Sequence, residues 1–154
     1  MKTQQEWFDE YAVSHQNETN KAIHYICVPV IFFSIIGLLM SINPIFLMKK
    51  LHFLPAYTQN WAFVILIPIL LFYLKLSTKS FIAMLLFSLS SLLLNYYVSM
   101  HFSLLYISIT LFIIAWIGQF YGHHIEGKKP SFFKDLQFLL IGPIWVFQKM
   151  IKFS

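Results

Sequence analysis

The feature that most constrains this chain is a set of long stretches without any charged side chain. Asp, Glu, Lys and Arg are absent from residues 22–48, 51–74, 80–125 and 136–148. A helix that crosses a bilayer needs about 20 mostly apolar residues, because the hydrocarbon core is ~30 Å thick and a helix rises ~1.5 Å per residue. The first two stretches each fit one crossing, and the third is long enough for two. The fourth is too short to cross upright and fits a half-inserted segment.

A soluble helical bundle is excluded by the same stretches. Each helix of such a bundle needs a polar face, and residues 81–98 do not offer one. Charged residues make up 11% of the chain, against roughly 25% in soluble domains. We therefore predict an all-α integral membrane protein with a single membrane domain over residues 1–154. Its predicted elements are an interfacial helix, four transmembrane helices and the half-inserted segment, at 1–16, 24–48, 61–74, 80–98, 103–121 and 136–148.

Two histidines lie where the chain enters its first apolar stretch. Residues 3–6 match a capping box that should open the interfacial helix. The sequence NETN at 17–20 should end this helix, because Asn and Thr favour turns and caps. Asn20 can then cap the helix that follows. On one continuous helix His15 and His24 would point in opposite directions, whereas a turn between them lets both imidazoles converge at the membrane surface.

A second polar cluster follows the fourth predicted span. His123 and Glu126 are three residues apart and share one helical face, and Gly127 should end that helix. Four crossings bring this cluster to the membrane face that also holds the histidines of the first cluster. Imidazole and carboxylate groups are suitable ligands for Fe(II), Zn(II) or Mn(II). The candidate metal ligands at this face are His15, His24, His123, His124 and Glu126.

The basic residues predict an orientation in the membrane. All of the Lys and Arg residues are lysines, 11 in number. With four crossings, only Lys49 and Lys50 lie on the side opposite the termini, and cytoplasmic loops are the lysine-rich ones. Both termini are therefore predicted to be cytoplasmic, in a bacterial inner membrane or in the endoplasmic reticulum of a eukaryote. The lack of arginine argues against phosphate recognition and a nucleic-acid partner, and leaves the lipid membrane as the expected partner.

Composition and spacing alone leave three interpretations of the polar clusters open. The first is a metal site, since polar groups at membrane depth are costly and mark function. The second is a non-catalytic lipid-binding or scaffold protein whose histidines and lysines contact lipid headgroups. The third is a role in transport or partner binding. His52 and His101 fall toward the other side of the membrane in this topology, which separates them from the candidate site.

Two sequence motifs at the ends of the chain resemble a known family. The pattern Y-x3-H-x-N-x2-N-x3-H-x4-P covers residues 11–29, and W-x2-Q-x2-G-H covers residues 116–123, followed by Glu126 and Pro130. Together they are similar to the N-terminal and C-terminal signatures of the 2-hydroxy-palmitic acid dioxygenase-like membrane proteins. With the four apolar spans between them, the resemblance covers nearly the whole chain.

This resemblance implies an Fe(II)-dependent α-oxidation. A 2-hydroxy fatty acid and O₂ would be the substrates, and a fatty acid one carbon shorter would be the product. The residues that the resemblance implies as catalytic and as iron ligands are His15, His24, His123 and Glu126. His124 stays a candidate iron ligand from its place in the second polar cluster, at a position that varies in the family. On the same chemistry, the candidate substrate-binding residues are Asn20, Lys128 and Lys129, of which the lysines would attract the substrate carboxylate.

Overall fold

A computed structural model describes residues 3–13, 15–127 and 138–151 of the chain. These residues form helices, turns and loops without any strand, so the predicted all-α class is confirmed. A short 3₁₀ turn, Ala56–Thr58, precedes the fourth of the described α-helices. In chain order the helices are α1 (Gln4–Ala12), α2 (Glu18–Met40), α3 (Ile45–Lys50), α4 (Trp61–Leu76), α5 (Thr78–His101), α6 (Leu104–Ile125) and α7 (Gly142–Ile151).

Local side-chain caps set the start of the first two helices. The Thr3 hydroxyl accepts a hydrogen bond from the Glu6 backbone N–H at 3.3 Å, and the Glu6 carboxylate accepts one from the Thr3 N–H at 2.6 Å. This confirms the predicted capping box. The prediction that Asn20 caps α2 was wrong, because the side chain of Asn17 accepts from the N–H groups of Thr19 and Asn20, at 2.9 and 3.2 Å. Asn20 already lies inside the first turn.

Three helices, α2, α5 and α6, are long and apolar enough to cross a membrane. Large apolar side chains on them, such as Leu86 and Ile117, are more than half exposed, as expected for surfaces that face lipid. Helix α4 is apolar but has 16 residues, which gives it a length of only about 24 Å. The structure therefore supports a membrane protein, while the fourth crossing stays a prediction.

The helix boundaries correct the predicted span 24–48. Helix α2 begins earlier, at Glu18, and ends at Met40, and a separate short helix, α3, begins at Ile45. Pro44 explains the interruption, because proline lacks an N–H and disfavours helical geometry in the residue before it. The predicted half-inserted segment 136–148 starts in residues outside the described part of the chain. Its described part includes most of α7, whose depth in a membrane stays a prediction.

The chain divides into two compact units. The terminal unit contains residues 1–32 and 113–154, and the central unit contains residues 33–112. Within the central unit, α4 packs along α5, and the buried Asn95 side chain donates to the carbonyl oxygens of Ser91 at 2.9 Å and Phe33 at 3.2 Å. The terminal unit holds the histidines and Glu126 that the sequence singled out.

Candidate metal centre

The turn between α1 and α2 positions the first two histidines. Helix α1 ends at Ala12, and the His15 backbone N–H donates to the Ala12 carbonyl at 3.0 Å, which tightens the chain at this point. Asn17 then caps α2, as described above, and His24 follows in the second turn of that helix. The polar run at 15–20 therefore separates α1 from α2, and the rings of His15 and His24 lie next to each other.

The end of α6 supplies the third histidine. Gly127 ends the helix region with a positive φ of 72°, which glycine adopts without strain, as predicted for a helix stop. His123 lies in the last turn, on a surface that packs closely against α2. Gly122 permits this approach, because a Cβ atom there would collide with the Asn20 side-chain oxygen and lie 3.4 Å from the His24 ring.

His15, His24 and His123 meet in the interior of the terminal unit. Their exposed fractions are 3%, 1% and 4%, and one nitrogen from each ring lies within 4.8 Å of the others. The ring centroids are 4.3 Å apart for His15 and His24, 5.0 Å for His24 and His123, and 5.5 Å for His15 and His123. Within the described residues, these three imidazoles form a group with the spacing to hold a metal ion.

Hydrogen bonds to the backbone orient two of the rings. His15 Nδ1–H donates to the Tyr11 carbonyl at 2.7 Å, and His24 Nδ1–H donates to the Asn20 carbonyl at 2.9 Å. A neutral imidazole that donates through Nδ1 carries its lone pair on Nε2. The Nε2 atom of His24 is buried without a hydrogen-bond partner among the described residues. Imidazoles held in this way by backbone carbonyls are typical of metal ligands.

Glu126 connects the end of α6 to the segment that carries His15. One carboxylate oxygen accepts from the Gln16 N–H at 2.8 Å, and the other accepts from the Asn17 N–H and from the Asn20 side-chain amide, both at 2.9 Å. Burial would raise the pKa of Glu126, but the hydrogen bonds from Asn20, Asn17 and Gln16 together outweigh it and hold the pKa below its ordinary value. The carboxylate therefore links the end of α6 to Gln16, Asn17 and Asn20, and we call this set of hydrogen bonds the Glu126 clasp.

Comparison with known proteins gives this geometry a context. A family model described as 2-hydroxy-palmitic acid dioxygenase Mpo1-like matches residues 1–153, and thus almost the whole chain. The chain belongs to the Mpo1-like family. The resemblance that the two end motifs indicate is thereby confirmed. No curated protein and no solved structure matched the chain.

In this Mpo1-like protein, aromatic side chains pack against one side of the histidine group. The Tyr11 ring stacks on His15, with centroids 4.0 Å apart and planes 9° from parallel. Trp145 of α7 lies 5.0 Å from Tyr11 and 5.7 Å from His15, and Phe138 lies 5.5 Å from Tyr11. Sequence reasoning assigned no role to Trp145, because no local spacing relates residue 145 to residue 15. Its position at the site follows only from the packing of α7.

The remaining predicted site residues fall in different places. Asn20 is fully buried and donates to Glu126, so it contacts the clasp. His124 follows His123 on the helix and is exposed, outside the group of three. Lys128 and Lys129 lie outside the described residues. The ligand roles of His124 and Glu126 and the substrate roles of Asn20 and the two lysines stay predictions, and the structure brings together three of the five predicted metal ligands.

Proposed function

We propose that this Mpo1-like protein is an Fe(II)-dependent dioxygenase that shortens 2-hydroxy fatty acids by one carbon. The observation that carries the proposal is the group of three buried histidines, His15, His24 and His123, assembled from both ends of the chain. The reaction class comes from the family, which is named for 2-hydroxy-palmitic acid dioxygenase. Insertion of the apolar helices into a membrane does not explain this cluster, because membrane crossing requires no buried imidazoles. The lysines, which set the predicted orientation, do not explain it either.

The donor set fits a divalent transition metal. Neutral imidazoles suit Fe(II) as well as Zn(II), and the buried Nε2 of His24 is an acceptor that a metal ion would satisfy. His15, His24 and His123 would hold the ion. Bound iron would supply the electron transfer to O₂ that no protein side chain can provide. The choice of iron rests on the family chemistry, because three imidazoles by themselves do not distinguish between these metals.

The proposed reaction balances without a further reductant. A 2-hydroxy fatty acid and one O₂ give the shorter fatty acid, CO₂ and water. The bond between the carboxyl carbon and the hydroxyl-bearing carbon breaks, and the hydroxyl-bearing carbon becomes the new carboxyl carbon. Four electrons pass from the substrate to O₂ in this process. O₂ is thus the oxidant, and a nicotinamide or flavin site is not needed.

The protein's own residues would position the substrate and limit the access of water. Backbone carbonyls orient His15 and His24, and the Glu126 clasp connects the segments that carry all three imidazoles. The stacked Tyr11 ring and Trp145 shield the site on one side. Exclusion of water from such a site limits side reactions of oxidised species.

The membrane would present the substrate to this site. We further propose four crossings with both termini cytoplasmic, which the distribution of lysines supports. The compartment would be a bacterial inner membrane or the endoplasmic reticulum, according to the host. An acyl chain would remain among the apolar helices while the carboxylate approaches from the interface. Lys128 and Lys129 would attract it there, because cationic side chains near a membrane surface favour anionic groups.

A single-turnover assay tests the proposal. The protein is purified anaerobically in detergent, loaded with Fe(II) and mixed with 2-hydroxypalmitate and O₂, and pentadecanoic acid is measured by mass spectrometry. Iron-dependent product that is lost in His24→Ala is the expected result. His52→Ala is the matched control, because His52 is exposed, belongs to the central unit and donates to the nearby Lys49 carbonyl at 3.2 Å.

A well-folded preparation that neither binds iron nor forms product would refute the dioxygenase. The same holds if His15→Ala, His24→Ala and His123→Ala all leave the bound metal unchanged. Those results would favour the alternative of a non-catalytic lipid-binding protein.

A further inference from the structure

Gln119 is a buried polar residue that the metal centre as described does not use. It lies one helical turn before His123 on α6, and residues four apart on a helix share a face. Its exposed fraction is 5%. The side-chain nitrogen Nε2 is buried and has no hydrogen-bond partner among the described residues. An unmade hydrogen bond of this kind is costly in a folded protein, so Gln119 indicates a ligand.

A cavity lies beside this side chain and the metal centre. Gln119 lines it together with His15 and His24, and the apolar part of the lining includes Val28 and Ile31. The volume is about 20 Å³, which is room for roughly one water-sized group. The space therefore has room for one oxygen atom of a carboxylate, while the rest of a fatty acid has to extend past the apolar side chains.

We propose that Gln119 binds the carboxylate of the substrate by donating a hydrogen bond from its side-chain amide. This inference rests on the proposed function, because it takes the 2-hydroxy fatty acid as the ligand. A carboxylate only accepts hydrogen bonds, and its charge makes it a stronger partner for an N–H group than a neutral hydroxyl. No lysine lines the described part of the cavity, and Gln119 contributes a buried amide donor to that lining.

Gln119 is a positioning residue in this proposal. Its hydrogen bond would fix the carboxyl end of the substrate next to His15 and His24 and so place the carbon that bears the hydroxyl group at the metal centre. A purely structural alternative is that the amide donates to a buried water. The two alternatives differ in substrate binding, because a water-bound amide has no influence on the affinity for a fatty acid.

The test is an equilibrium binding measurement on the Fe(II)-loaded protein under anaerobic conditions, where turnover cannot occur. The variants are Gln119→Met, which removes the donor at similar size, and Gln119→Glu, which replaces the donor with an acidic acceptor. We expect Gln119→Met to raise the Kd for 2-hydroxypalmitate roughly tenfold to a hundredfold, the range for a hydrogen bond to a charged group. Gln119→Glu should raise it further at a pH where both carboxyl groups are ionised, because two negative charges would then face each other.

Iron content and thermal unfolding are measured on the same samples. Both should match wild type in Gln119→Met, because Gln119 is not a metal ligand in this proposal. When O₂ is admitted, KM should rise more than kcat falls. Ile117→Leu is the matched control, because Ile117 lies two residues before Gln119 on the same helix and is 62% exposed. It should leave the Kd unchanged.

Wild-type affinity in Gln119→Met would overturn the inference and leave Gln119 as a ligand of buried water. Tight binding in Gln119→Glu at a pH where the new side chain is ionised would also overturn it, because an ionised carboxylate accepts hydrogen bonds and cannot donate one to the substrate carboxylate. If wild type itself shows neither binding nor product, the proposed function fails and the inference fails with it. Wild-type turnover combined with unchanged variants overturns the inference alone.

Discussion

Substitution of Glu126 tests whether the hydrogen bonds of its carboxylate, the Glu126 clasp, stabilise the metal centre. Glu126→Gln keeps the shape of the side chain but replaces one carboxylate oxygen with an NH₂ group. In wild type both oxygens accept hydrogen bonds, from the N–H groups of Gln16 and Asn17 and from the Asn20 amide. The new NH₂ must face at least one of these donors. The variant thus loses one or two hydrogen bonds, and the remaining ones lose the contribution of the charge.

The magnitude follows from these contacts. A hydrogen bond to a charged group is worth about 1.5–3 kcal/mol when it is fully buried. Glu126 is partly exposed, so water compensates for part of the loss. We expect the free energy of unfolding to fall by roughly 1–2 kcal/mol. Iron affinity should fall about tenfold, because loss of the groups that orient metal ligands typically has this effect.

A double-mutant cycle with Asn20→Ala separates the clasp from general destabilisation. Unfolding is followed by denaturant titration in detergent for wild type, both single variants and the double variant. Since Asn20 donates directly to Glu126, we expect a coupling free energy of about 1 kcal/mol. The control is Glu18→Gln, because Glu18 pairs with Lys21 on the surface, with a side chain that is 88% exposed. That change should cost less than about 0.5 kcal/mol.

Additive effects in the cycle, within about 0.5 kcal/mol, would refute the clasp. Complete loss of iron in Glu126→Gln, with stability unchanged, would instead support the original prediction of Glu126 as a metal ligand. A loss of stability that is coupled to Asn20 therefore supports the hydrogen-bonding role of Glu126, whereas a loss of iron without a loss of stability supports the ligand role.

Three further predictions follow from the packing and charges. Gly122→Ala should lower stability by roughly 1–3 kcal/mol and reduce bound iron, because its Cβ would collide with Asn20; unchanged thermal unfolding and metal content would contradict this. Asn95→Ala should cost about 1 kcal/mol by denaturant titration and leave iron content unchanged, because its two hydrogen bonds lie in the central unit; loss of iron would count against it. A carboxyl group with a lowered pKa stabilises the fold above its ordinary pKa and loses this effect as the pH falls through the lowered pKa. The Tm difference between wild type and Glu126→Gln should therefore shrink with acidification. A Tm difference that grows as the pH falls would contradict a lowered pKa of Glu126.

Helix α2 shows where sequence reasoning about the fold succeeded and where it failed. Its apolar composition predicts a membrane-crossing helix, and the structure has one from Glu18 to Met40. The predicted end at residue 48 was wrong, since the run of apolar side chains continues past the helix into α3. Hydropathy reports the cost of contact with lipid, whereas the helix end depends on the backbone limits that Pro44 imposes.

Glu126 shows a similar limit for the site. Residue type and helical spacing placed it on the helical face of His123, and the structure has it one residue past the end of α6. The spacing could not reveal which groups its carboxylate would meet, because the Gln16 and Asn17 N–H groups lie more than a hundred residues away in the chain. Gln119 belongs to the same case, since its burial and its missing hydrogen-bond partner appear only after the helices pack.

The sequence by itself determined the helical class, the family and the histidines of both polar clusters, because hydropathy, helical period and motif spacing are local properties of the chain. Only the tertiary structure decided which groups meet. It brought His15, His24 and His123 together in a buried group, left His124 exposed and engaged Glu126 with the N-terminal segment. The physical reason is that contacts between distant segments depend on close packing, as at Gly122, and on the pairing of buried polar groups.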